Sequence, residues 1–93
     1  MTKETLLSAL EAERLKPGSD GIIVPEDRDA TFMVASPSEI IQVSRVVKIE
    51  LRDSSLCLET SKAERYWFTY DLVLGVRLRS AKLARESAAG FAR

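Results

Sequence analysis

The groups in this chain that could do chemistry are a few carboxylates, one thiol and a run of aromatic and cationic side chains. Histidine is absent. That removes the commonest general base, the Ser–His and Cys–His nucleophile pairs, and the commonest zinc ligand. The single cysteine, Cys57, can form neither an intramolecular disulfide nor a cysteine-rich metal site. The four glycines fall in no phosphate-cradling GxxxxGK[ST] or GxGxxG pattern. Glu26, Asp27 and Asp29 are the densest carboxylates. Their spacing does not match a calcium loop, which alternates its oxygen ligands around a central glycine and ends on a glutamate. A solvated charged loop is expected there. The residues therefore point away from an enzyme, and no metal or cofactor is expected.

Cys57 sits between Leu56 and Leu58. If both leucines face a core, strand alternation turns the thiol outward or toward a second layer. No cation adjacent in sequence would activate it, so a small apolar filler is the expectation. Tyr66, Trp67, Phe68 and Tyr70 form the one aromatic cluster. On a strand, Tyr66, Phe68 and Tyr70 share one face, and Trp67 takes the other with Arg65 and Thr69. Either one face is core and the other is exposed to a partner, or both are buried with Trp67 beneath a helix. Arg77 and Arg79 lie on one strand face, with Lys82 and Arg85 just beyond. This basic cluster would suit phosphate or an acidic protein surface. Few aromatic residues are interleaved with it, so a charged sheet edge that discourages aggregation is the preferred reading.

The elements that must position these groups can be read in turn. Residues 2–16 predict a helix, with Thr2 as its cap, Glu4 in its first turn and Pro17-Gly18 as its stop. Leu6, Leu7 and Leu10 give it an apolar stripe that Leu15 extends. Residues 22–24 predict a short strand ended by Pro25, residues 25–30 a charged loop, and residues 31–35 a strand. Ser36, Pro37 and Glu39 carry a capping-box pattern. The β-branched residues that follow favour one long strand over 40–52, after at most one helical turn. On that strand Ile41, Val43, Val47, Ile49 and Leu51 would share a face. Turns at 52–55 and 61–64 bracket strands over 56–60 and 65–70, and a corner at Asp71-Leu72 leads to a last strand over 73–79. Residues 80–93 predict a C-terminal helix or tail.

The 93 residues suffice for a single domain, residues 1–93, and 45% hydrophobic content is enough to exclude wholesale disorder. The expected fold is α+β: an N-terminal helix, an antiparallel meander over residues 22–79 forming a small, strongly twisted sheet or partly closed β-barrel, and the C-terminal helix or tail. Net charge is zero, which argues against a dedicated nucleic-acid binder. The charge is polarised: residues 1–64 are acidic and residues 77–93 basic. That layout suits head-to-tail association or an anionic partner. No stretch approaches the roughly 18 apolar residues of a membrane span, and the N-terminus lacks a signal-peptide pattern. A cytoplasmic location is the expectation.

Two resemblances add to this reading. The stretch over residues 56–78 resembles the closing hairpin of bacterial pleckstrin-homology-like domains, with Tyr70, Val73, Val76 and Leu78 in the matching places. It implies a curved sheet capped by a terminal helix and used to bind lipids, peptides or further copies. Residues 5–14 together with 48–59 look like the Sm-like bacterial RNA chaperones, which implies a helix followed by a five-stranded barrel that assembles into rings. The chain departs from that family in a long insert between helix and barrel. It also has Tyr70-Asp71-Leu72 where the family shows a Tyr-Lys-His-type RNA motif, and the aspartate would repel phosphate.

Taken together, these features predict a non-catalytic protein-interaction or oligomerisation module acting through its sheet. Its partner is another protein or a further copy, and Arg65, Trp67, Arg77 and Arg79 are the contact residues. The rival is an Sm-like RNA binder, with Arg77, Arg79, Lys82 and Arg85 meeting phosphate and affinity falling with salt.

Overall fold

The computed structural model describes residues 1–19 and 21–81. Helix α1 spans Lys3–Ala12. Thr2 caps it as the sequence suggests, its hydroxyl accepting the Thr5 N–H at 3.1 Å. Its inner stripe, Leu6 and Leu10, is wholly buried. The helix ends earlier than residue 16, and proline is not what stops it. Arg14 takes a left-handed backbone at φ 65°. Its N–H then reaches the Glu11 carbonyl at 2.9 Å, and the Leu15 N–H reaches Leu10 at 2.8 Å. These two bonds make a Schellman end, with Arg14 where glycine is usual and Leu15 folded back into the core.

Seven strands follow: β1 Ile22–Ile23, β2 Arg28–Ala35, β3 Ile40–Val43, β4 Val46–Leu51, β5 Ser55–Thr60, β6 Arg65–Thr69 and β7 Val73–Ser80. A 3-10 turn, Tyr70–Leu72, joins the last two at the expected corner. All pairings are antiparallel. One sheet runs β1-β4-β5-β6 and the other β3-β2-β7. Gly21 leads into β1 at φ +94°, where a Cβ would sit 2.7 Å from the Ile49 carbonyl oxygen. Only glycine fits both the angle and the approach.

The expected long strand over 40–52 is two strands. Arg45, at φ 55°, breaks it. β3 stays with one sheet while β4 crosses to the other. The break also resets the inward face: Val43, Val46 and Ile49 are buried, whereas Ile41 and Val47 are exposed. β-branched composition marks strand but not a turn made by a single left-handed arginine, so the face assigned to Ile41 and Val47 is corrected. No helical turn precedes β3 either. Ser36 and Glu39 make a hairpin turn in which the Ser36 N–H and hydroxyl both donate to the Glu39 carbonyl, each at 2.9 Å. The capping-box residues are thus used for a turn. β2 also begins three residues before the expected position, at Arg28, because Arg28 and Asp29 pair across to Ser80 and Arg79.

β1 and β2 lie end to end along one side of β3 and β4. Each pair therefore acts as one bent ribbon shared by both sheets. In space the ribbons run β7, β2/β1, β3/β4, β5, β6, a partly closed barrel open between β6 and β7. One core fills it, with Phe32, Val34, Ile49, Leu56, Leu58 and Val73 at its centre and α1 plugging it through Leu6 and Leu10. The expected C-terminal helix or tail falls, from residue 82 onward, outside the described residues.

Candidate interaction surface

Strand β6 is exposed along nearly its whole length. Its alternation follows the sequence reading. Tyr66 and Phe68 share the opposite face and stack with ring centres 6.4 Å apart and planes 5° from parallel; Phe68 packs partly buried against the core, while Tyr66 remains 39% exposed. Trp67 faces outward with 51% of its surface exposed, so the alternative that it is buried does not hold. Arg65 lies on the same outer face. The guanidinium carbons of Arg52 and Arg65 sit 6.0 and 5.8 Å from the centre of the indole, within cation–π range.

These two arginines are held by Glu50, whose position in the sequence gave no hint of a site when taken alone. Glu50 Oε2 accepts from Arg52 at 3.3 Å and Oε1 from Arg65 at 3.4 Å, with Lys48 Nζ 3.6 Å away. Partial burial works to raise the Glu50 pKa. The Arg52 hydrogen bond and the charges of Arg65, Lys48 and Arg52 outweigh it and hold the carboxylate below its ordinary range. The signal was present as Lys48-x-Glu50-x-Arg52. Strand period puts these three on one face, and the β4–β5–β6 register sets Glu50 opposite Cys57 and Cys57 opposite Trp67.

Cys57 faces this outer layer, as alternation requires, yet is buried beneath it. Arg65, on β6, reaches it from across the ladder. Contact with the Cys57 sulfur, then the charges of Glu50 and Glu59, raise the Arg65 pKa further above its usual range.

Arg77 and Arg79 stand on the outer face of the other sheet, opposite Thr31 and Asp29. Arg79 Nε meets Asp29 Oδ2 at 3.4 Å. Both arginines line a cleft of about 1070 Å³ between the sheets, together with Lys48 and Glu59. Arg65 touches that lining, 4.0 Å from Glu59, while Trp67 lies one rung beyond it. Within one chain, the four expected contact residues thus fall on two sheets at either end of a shared outer surface. Lys82 and Arg85 lie outside the described residues. The three clustered carboxylates are separated by the start of β2: Glu26 and Asp29 line the cleft, and Asp27 offers its backbone carbonyl to the Ala81 N–H at 2.8 Å.

No family model, curated protein or solved structure matches this chain. What the surface can do must therefore be argued from its own residues. Among the described residues, no group of three His, Cys, Asp or Glu side chains could hold a metal ion, and no helix is long and apolar enough to cross a membrane. The surface offers an exposed indole, clamped guanidinium groups and, among the described residues, outer strands that lack a second neighbour, which are the materials of recognition.

Proposed function

We propose that this chain is a non-catalytic interaction module that associates with further copies of itself, β6 of one copy adding to β7 of the next. The observation that carries the reading is the open seam, where the barrel ends on two strands that pair with nothing on their far sides among the described residues. The alternation of ladder bonds identifies the groups left over. The Thr60 N–H to Glu64 carbonyl bond, at 2.9 Å, sets the phase of the β5–β6 ladder. Two-residue steps from it turn the backbone groups of Arg65, Trp67 and Thr69 to the free edge. The Ala81–Asp27 bond sets the phase on the other side and leaves those of Val76 and Leu78 facing out.

Side chains favour the same joint. Tyr66 and Phe68 line the inner side of β6, and Val76 and Leu78, half-buried, that of β7. Pairing would extend one apolar layer across the seam. On the outer side it would bring Arg65 and Trp67 of one copy beside Arg77 and Arg79 of the next. That is how residues kept apart in one chain would form a single contact surface. A head-to-tail joint of this kind closes into a ring where its rotation allows.

The Sm-like RNA-binding reading stays as a second proposal. It is supported by the order of helix and five ribbons and by the turn at Tyr70–Leu72 between the last two strands. Asp71 at that turn still counts against phosphate binding there.

Thr69→Pro separates edge pairing from folding. Thr69 already has φ −80°, which proline accepts, and its N–H points away from the internal ladder. Light scattering after size exclusion, in low and high salt and with a generic RNA, should give a multiple of the chain mass for the parent and a smaller species for Thr69→Pro with an unchanged far-UV spectrum. A parent that is monomeric at all concentrations sinks the proposal. A ring that binds RNA only in low salt moves the assignment to the Sm-like reading.

A further inference from the structure

The cleft between the sheets carries an inference independent of self-association. It lies where both bent ribbons change sheet, beside residues 25–27 and Ser44-Arg45. Five cations line it. Three of them are engaged: Arg79 with Asp29 at 3.4 Å, Arg28 with Glu13 at 3.4 Å and Lys48 with Glu50 at 3.6 Å. Arg45 and Arg77 meet no carboxylate among the described residues, although both line the cleft. Apolar surface lies between and around these charges. Ile23 is 59% exposed and Val47 36%, and both line the same cleft.

Unpaired guanidinium groups in a concave, partly apolar setting suit an anion attached to an apolar chain. Two features decide which anion. Glu26, Asp29 and Glu59 are interleaved with the cations, and would repel a polymer with a phosphate at every unit. Among the described residues no aromatic ring lines the cleft for bases to stack on. A peptide with separated carboxylates meets neither obstacle.

We infer that this cleft binds an acidic, apolar-flanked peptide segment of a partner protein, Arg45 and Arg77 each taking a carboxylate while Ile23 and Val47 cover its apolar side chains.

The test is fluorescence anisotropy with a labelled synthetic peptide alternating Glu and Val, its Gln-for-Glu counterpart, and an oligouridylate. The acidic peptide should bind, weaken as salt rises, and exceed its neutral counterpart by about tenfold or more, as expected when charged hydrogen bonds are lost. Arg77→Gln and Arg45→Asn should each cost about tenfold; asparagine tolerates the left-handed backbone at position 45. If Arg45→Asn fails to fold, Arg77→Gln decides alone, because the Arg77 side chain is exposed and makes no ion pair with the described residues. Equal binding of the two peptides, or undiminished binding by Arg77→Gln, overturns the inference. So does tighter binding of the oligouridylate that is lost in the same variants. The solution mass of Arg77→Gln, measured alongside, keeps this result separate from the edge-pairing proposal.

Discussion

Glu50 shows how one residue can organise a surface. It gathers Lys48, Arg52 and Arg65, and the two arginines in turn flank the indole of Trp67. Because its carboxylate is held below the ordinary value of 4.5, the folded state binds this proton less readily than the unfolded chain. The resulting stabilisation is present above that value and is lost as pH falls through the lower, folded-state pKa. Urea midpoints measured against pH should therefore show a shallower acid limb for Glu50→Gln than for the parent. Identical limbs would mean that the cations around Glu50 do not act on its titration. The pairing of Glu50 with Arg52 and Lys48 was legible from strand period alone. Arg65 joins them only through the β5–β6 hairpin, which a linear reading does not put in register.

At the scale of elements, capping and turn chemistry decided where sequence and structure agree. Thr2 begins α1 as expected because its hydroxyl has a nearby N–H to satisfy. The helix end was missed because an arginine occupies the left-handed position that glycine usually marks. The same cause hid the break at Arg45. Composition identifies β-branched strand well, and a non-glycine left-handed residue leaves no trace in it. This gives a test. Arg14→Gly relieves the left-handed strain and should raise stability by about 0.5–1 kcal/mol in chemical denaturation, after the extra unfolded-state freedom of glycine is counted. A loss of stability would show that contacts of the Arg14 side chain outweigh its backbone strain.

For the whole molecule, the α+β class, the antiparallel connections and the inward leucines of β5 could be read from periodicity and turn residues. The division into two sheets could not. It depends on two ribbons bending at different places, residues 25–27 and Ser44-Arg45, so that strands adjacent in sequence belong to different sheets. The candidate surface was legible as residue types, Trp67 beside arginines, but neither the exposure of Trp67 nor the arrangement could be read. Within the chain, Arg77 and Arg79 stand on the other sheet, across the cleft from the β6 residues. Arg45, inside the run of β-branched residues over 40–52, gave no sign in the sequence of a place where the chain changes sheet. In the folded chain it stands at the corner of the cleft.

The joining of β2 to β7 also has a kinetic side. The β4–β5–β6 meander closes short loops, whereas the partners Arg28 and Ser80 stand at opposite ends of the strand region. Bringing distant segments together costs more chain entropy before any contact is gained, so the meander should form early and the β2–β7 ladder late. Pulse-labelled hydrogen exchange during refolding should protect the amides of β5 before those of β7; simultaneous protection would mean that a single nucleus spans both sheets. In the interval the chain exposes β6 with its aromatic side chains while the strand proposed as its mate in a neighbouring copy is not yet in place. Refolding yield should then depend on how quickly β7 is secured, and a crowded solution would be the harder one in which to fold.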